Sequence, residues 1–257
     1  MSGAVDRQEV AGPAIVTGGG QGLGRAFCHA LADRGVKVAV ADINLATAQR
    51  VAHEIEQTGG RAIAVQVDIA DAASVDAMAA AVGEAFGPPV VLVNNAAIFS
   101  SLKLQPFNEI PLEEWHRVID VNVTGAFLCS RAVAPLMQER GYGKVINISS
   151  ATVWTGRPGY LHYVTSKAAL IGFTRALASE LGPAGITVNA ITPGSTATEV
   201  ERDTISKEAR DAMVAATAMR RIQMPRDVVG VLLFLASRDS DFVTGQTINV
   251  DGGYAFH

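Results

Sequence analysis

The stretch Tyr163-Val-Thr-Ser-Lys167 sets a phenol and an ammonium four residues apart. On a helix that spacing is about one turn, so the two groups share a face. A phenol beside a fixed cation can serve as both acid and base. An unperturbed phenol titrates near ~10, and each unit by which its anion is favoured corresponds to about 1.4 kcal/mol. Lys167 is placed to supply that stabilisation. The same pair is common on ordinary surface helices, so its meaning depends on the rest of the chain.

A second chemical signal is Gly18-Gly-Gly-Gln-Gly-Leu-Gly24, set between the short apolar run Ala14–Thr17 and a helical pattern carrying Ala26, Phe27, Ala30 and Leu31. A strand, a glycine turn and a helix in that order bring backbone N–H groups and a helix N-terminus to a phosphate, because Gly18, Gly22 and Gly24 have no Cβ in the way. By itself the cluster could be a tight turn. The next β-branched run, Val36 to Ala41, ends in Asp42, where a carboxylate can accept from an adenosine ribose. Together they imply a dinucleotide. A carboxylate there bonds the 2′-hydroxyl of NAD and repels the 2′-phosphate of NADP. An NADP site would place basic residues where this chain has Gln21 and Ile43. Asp42 could instead cap the following helix, but Asn44 is better placed for that task.

These groups need a frame, and the hydropathy pattern predicts one. Strand-like runs at Ala14–Thr17, Val36–Ala41, Ala62–Val67, Val90–Val93, Lys144–Ile148, Ile186–Ile191 and Thr247–Val250 alternate with helical segments. Alternation of that kind predicts an α/β fold: one Rossmann-type doubly wound domain over residues 1–257, with about seven parallel strands and helices on both faces. The stretch from Thr192 to Ala218 carries helix-forming pieces and no strand pattern, and residues 194–220 are expected to form a mobile substrate lid.

Composition narrows the classes. The chain has 257 residues, 49% apolar, with a net charge of −4. That suits a well-filled core and gives no basic stripe for nucleic acid and no polybasic membrane patch. The first residues hold no apolar signal core and no run is long enough to span a bilayer, so a cytoplasmic protein is expected. Cys28 and Cys129 lie in apolar helical segments and read as buried free thiols. The five histidines show no ligand spacing, so no metal is expected.

The glycine string TGGGQGLG is followed in order by Asn94-Asn-Ala-Ala97, Asn122, Ser150 and Tyr163-x-x-x-Lys167. This resembles the short-chain dehydrogenase/reductase family across nearly the whole chain, from about Ala14 to Tyr254. The resemblance implies that Tyr163 is the proton donor and acceptor and that Lys167 also holds the nicotinamide ribose. It gives Ser150 the substrate oxygen and Asn122 a water of the proton relay. Ser149 is the rival serine, and the family spacing of thirteen residues before the tyrosine selects Ser150. By the same match Asp68 and Ile69 meet the adenine, and Asn95 and Ala96 lie beside its ribose. The segment Pro193–Thr198 holds the carboxamide, with Thr196 and Thr198 as contacts; Leu23 completes the phosphate turn. One departure is Ala97, where the family usually has glycine. Taken singly, Asn122 or Asp68 could cap a helix and Ser150 could be a turn residue.

The reaction so implied is hydride exchange at one carbon with proton exchange by Tyr163 at its oxygen, which interconverts a secondary alcohol and a ketone. The loops Ile98–Leu104, Thr152–Tyr160 and the stretch beyond Gly194 should select the substrate. They carry Ile98, Phe99, Val153, Trp154, Tyr160, Met213 and Met219, and no arginine cluster able to clamp a phosphate or coenzyme-sized anion although Arg157 and Arg202 stand nearby, which favours an apolar, cyclic or aryl-alkyl alcohol. Ser150, Val153, Trp154, Tyr160 and Tyr163 are the expected substrate contacts. The rival readings are an NADP-linked reductase of carrier-bound 3-oxoacyl chains and a non-catalytic dinucleotide sensor. The resemblance also implies a homotetramer, formed through the helices around Asn122–Arg140 and Leu161–Leu181 and the last strand.

Overall fold

The computed structural model describes residues 10–200 and 207–256. Its strands are β1 Ala14–Thr17, β2 Lys37–Asp42, β3 Arg61–Gln66, β4 Val91–Asn94, β5 Gly143–Ile148, β6 Ile186–Pro193 and β7 Thr247–Val250. The helices are α1 Gly22–Ala32, α2 Leu45–Gln57, α3 Ala72–Phe86, α4 Leu112–Ile119, α5 Gly125–Arg140, α6 Thr152–Thr155, α7 Leu161–Leu181, α8 Lys207–Ala216 and α9 Pro225–Ala236. All seven strands join one sheet in the order β3-β2-β1-β4-β5-β6-β7, every pairing parallel.

Successive residues of the strands serve opposite faces. Ala14 and Val16 of β1 join Val38, Val40, Val91 and Val93 in one apolar cluster under α1, α2 and α9. Ile15 joins Ala39, Leu92, Val145 and Val188 in the other, under α3, α5 and α7. A parallel sheet buried on both faces therefore reads as nearly unbroken apolar runs. The helices show the matching stripe: α2 buries Ala48, Val51, Ala52 and Ile55, at helical spacing. Its N-terminus is capped as expected, Asn44 Oδ1 accepting from Ala46 N at 3.1 Å and Thr47 N at 3.3 Å. Cys28 and Cys129 are buried and unbridged, and burial raises both thiol pKa values.

One local feature departs from the expected pattern. Between α4 and α5 the chain makes a π-helical turn, Asp120–Thr124, which contains Asn122. Single π turns mark local strain in a helix and often fall at functional sites. The irregular stretch after β6 contains α8, and residues 201–206 of the expected lid, with Arg202, lie outside the described residues. Among the described residues no helix is long and apolar enough to cross a membrane.

The residues with chemistry collect at one edge of this sheet. Thr17, Asp42, Asn94, Ile148 and Pro193 end β1, β2, β4, β5 and β6, so the loops that follow open on the same side. β1 and β4 are neighbours from which the strand order runs outward in both directions, and the crevice beyond such a point is where parallel α/β sheets bind ligands.

Candidate active site

A cleft of about 890 Å³ runs along that edge. One end is formed by the glycine turn. Gly18 has a φ of 62°, and a Cβ there would fall 2.8 Å from Ala96 Cα; a Cβ on Gly24 would collide with the Gly18 carbonyl. Only glycine lets α1 start this close to β1. Thr17 pins the neighbouring loop, its Oγ1 accepting from Asn95 N and Ala96 N, both at 3.1 Å. Asn95 returns the favour, Nδ2 donating to Thr17 O at 2.9 Å and Gly18 O at 3.1 Å. Asn95 thus braces the turn with its amide while standing at the cleft wall. Thr17 escaped sequence reasoning, although a hydroxyl immediately before a glycine turn is a visible signal.

Asp42 stands at the same end and is buried. Its Oδ2 accepts from Gly20 N at 2.9 Å and its Oδ1 from Asn44 N at 3.0 Å. Both oxygens are thereby fixed, and each keeps a lone pair for a further donor. Gln21, Leu23, Ile43, Asp68 and Ile69 line this end too, and Pro193, Thr196 and Thr198 line the cleft beyond it. Asp68 does not cap α3; its Oδ1 accepts from Ala70 N at 2.9 Å, and Asp71 does the capping. Ala97 reaches the cleft without a left-handed backbone, so the departure from glycine carries no strain.

Tyr163 and Lys167 are both buried on one face of α7, the ammonium 5.9 Å from the centroid of the phenol ring. Lys167 Nζ donates to Ile148 O at 2.8 Å. Burial away from water pushes its pKa down to about 7. Negative charge developing on a nearby phenol or ligand would favour the charged form again. Tyr163 is held by its neighbours, stacked on Phe99 at 4.3 Å between centroids and edge-on to Tyr160 at 6.5 Å. Aromatic pairs of this kind contribute about 0.5–1.5 kcal/mol beyond their burial.

The two serines divide their work. Ser149 Oγ donates to Lys167 O at 2.7 Å and so ties β5 to α7. Ser150 Oγ accepts from Thr152 N at 3.2 Å and from Thr152 Oγ1 at 2.9 Å. With both lone pairs taken, the Ser150 hydroxyl keeps its hydrogen for an oxygen in the cleft. Thr152, unremarked in the sequence, orients it. Asn122 is 1% exposed and does not line the cleft. Its Oδ1 accepts from Ile98 N at 2.8 Å, and its Nδ2 donates to Ser166 Oγ at 2.9 Å. Ser166 in turn donates to Tyr163 O at 2.7 Å, so the Asn122 side chain positions the Ile98 loop and the turn that carries Tyr163.

The end of the cleft away from the glycine turn, where substrate contacts are expected, differs from expectation. Ile98, Phe99, Ser150, Tyr163, Met213 and Met219 line it, but Val153, Trp154 and Tyr160 do not. Tyr160 is turned inward, 2% exposed, as the packing partner of Phe99 and Tyr163. Trp154 Nε1 donates to Thr192 Oγ1 at 3.2 Å, which directs the indole toward β6. The short helix α6 rotates this segment so that Thr152, Thr155, Arg157 and Pro158 face the cleft in their place. Among the described residues no cluster of side chains could hold a metal ion.

The arrangement can bind a long anionic ligand at the glycine turn, fix a ribose at Asp42, and exchange a proton with an oxygen beside Ser150. A family model described as Enoyl-(Acyl carrier protein) reductase matches residues 18–255. A 3-oxoacyl-[acyl-carrier-protein] reductase of Synechocystis is 40% identical over 93% of this chain and 95% of its own length. An uncharacterised oxidoreductase of Mycobacterium tuberculosis is 42% identical over 93% of this chain and 96% of its own. A solved structure from Beutenbergia cavernae, described as a candidate NAD(P)-dependent gluconate 5-dehydrogenase with NADP at low occupancy, superposes with a TM-score of 0.90. It is 35% identical and covers 96% of this chain and 98% of its own. With the fold, the cleft and these relatives in agreement, the chain belongs to the short-chain dehydrogenase/reductase family of nicotinamide-dependent oxidoreductases acting on CH–OH groups.

Proposed function

We propose that the protein interconverts a secondary alcohol and its ketone, using NAD(H) in preference to NADP(H). The observation that carries the reading is one continuous cleft with Asp42 at one end and Ser150, Tyr163 and Lys167 toward the other. When bound, a nicotinamide supplies hydride exchange at the carbinol carbon. The chain supplies the rest. Tyr163 takes the alcohol proton during oxidation and returns it during reduction, while the Ser150 hydroxyl donates to the same oxygen. Lys167, shielded from water, favours the tyrosinate as its proton leaves and is the group to hold the nicotinamide ribose. Asp42 accepts from the adenosine 2′-hydroxyl and repels a phosphate in its place. Thr196 and Thr198 are proposed to meet the carboxamide, and residues 194–220, with α8, to cover the substrate.

Ile98, Phe99, Met213 and Val214 on the wall support an apolar body for the substrate, cyclic or aryl-alkyl. A second reading, NADP-linked reduction of carrier-bound 3-oxoacyl chains, draws support from the name of the Synechocystis relative and from Arg117 and Arg157 at the cleft. Asp42 argues against its cofactor. A homotetramer remains part of the proposal, supported by Phe127 and Leu161, large apolar side chains left exposed on α5 and α7. The test is a panel of secondary alcohols and 3-oxoacyl thioesters with each cofactor, read by nicotinamide absorbance. Tyr163→Phe should lower turnover by about 10²–10⁴-fold and leave NADH binding nearly intact. Retention of most of the rate would remove Tyr163 from the chemistry.

A further inference from the structure

The segment Thr198–Val200 lies across the glycine turn. Gly22 N donates to Glu199 Oε1 at 3.0 Å, a contact between groups 177 residues apart in sequence. A Cβ on Gly22 would meet Val200 Cγ2 at 3.5 Å and Thr198 Oγ1 at 3.9 Å, so the strap is seated directly on the turn. Gly22 is the first residue of α1, an 11-residue helix with no acidic residue in its first turn and no side-chain cap from Gln21. The leading N–H groups of a helix lack intrahelical partners, and the helix dipole favours an anion beside them. In this structure that anion is Glu199.

The root of the strap is fixed independently. Ala197 N donates to Gln223 O at 2.8 Å, and Thr196 Oγ1 donates to Gln223 Oε1 at 3.0 Å. Among the described residues it is the tip, Thr198–Val200, that rests on the glycine turn. Arg25, one turn further along α1, has its pKa raised mainly by its hydrogen bond to Glu54, with a smaller contribution from Glu199. Arg25 therefore offers a displaced carboxylate a favourable field nearby.

We infer that Glu199 is a resident competitor for the cofactor's pyrophosphate, and that a dinucleotide enters the cradle only as Glu199 leaves it. Gly22 has a single N–H to give, and a carboxylate and a phosphate repel at contact distance. The inference deepens the reading of the cleft as a nicotinamide dinucleotide site and rests on it. Glu199 would then set cofactor affinity without touching the reacting atoms. The opposite role, a clamp that holds bound cofactor in place, predicts effects of opposite sign.

The experiment is a fluorescence titration of the full chain with NADH, for wild type, Glu199→Gln and Glu199→Asp. Glu199→Gln should bind about two- to fivefold more tightly, the size of one carboxylate's interaction with a helix N-terminus. Glu199→Asp, which keeps the charge on a shorter arm, should fall between. Unchanged or weaker binding by Glu199→Gln would overturn the inference, whereas failure of the wild type to bind NADH at all would overturn the dinucleotide reading itself. Hydrogen exchange on the wild type gives a readout that needs no variant. Inorganic pyrophosphate should speed exchange in the peptide covering 197–200 by releasing the strap, and slower exchange would mean a clamp.

Discussion

At its glycine end the cleft is walled by main chain, and at its substrate end by side chains. The first wall is made by Gly18, Gly24 and Ala96, whose backbones approach so closely that single atoms decide the fit, with Thr17 and Asn95 pinning them by hydrogen bonds. The second is assembled from residues of three separate segments, the Ile98 loop, α6 and α8. A wall of backbone tolerates almost no change in residue type. A wall of side chains can be rebuilt, so the two ends should respond to mutation in different ways.

The largest effect is expected at the main-chain wall. Gly24→Ala drives a methyl into the Gly18 carbonyl, and relief requires moving β1 or α1, each packed in the core. Overpacking of this kind costs about 1–3 kcal/mol in stability. NADH affinity should fall with it, because the cradle itself is displaced. Urea unfolding and a fluorescence titration measure the two losses. Normal affinity in a variant of normal stability would mean that the approach of α1 to β1 is looser than described.

A small effect is expected at the other wall. Trp154→Phe removes the bond to Thr192 Oγ1 while filling most of the same space, so stability should drop by about 1 kcal/mol. Because Trp154 does not line the cleft, the KM of any accepted alcohol should move by less than about threefold. A tenfold rise in KM, with stability unchanged, would return the indole to the substrate.

The same contrast explains what was legible in the sequence. Gly18, Gly24, Asp42 and Tyr163 with Lys167 could be placed because backbone clearance, strand-end position and helical spacing are properties of residue type and distance along the chain. So could the Asn44 cap and the free thiols. Val153 and Trp154 were misplaced because facing depends on the phase of α6, which four residues with weak helical pattern do not reveal, and Tyr160 because its packing on Phe99 and Tyr163 is supplied by the fold. Asn122 was identified, but the π turn around it was not, and that turn is what aims its amide at Ile98 and Ser166. Glu199 left no local signal, since its partner is supplied by the fold alone.

On the proposed reading the Asp42 side chain, held against the main-chain wall, sets cofactor choice, and it gives the most direct test. With its two oxygens fixed by Gly20 N and Asn44 N, it should bond the ribose of NAD and exclude the phosphate of NADP. A hydrogen bond to a charged group is worth about 1.5–3 kcal/mol, roughly ten- to a hundredfold in affinity. The measurement is kcat/KM for NAD and for NADP with one fixed alcohol, in wild type and Asp42→Ala. The account predicts a wild type that favours NAD by at least about tenfold and a variant whose preference falls toward unity. A wild type that uses NADP as well as NAD, or a ratio unmoved by Asp42→Ala, would contradict it.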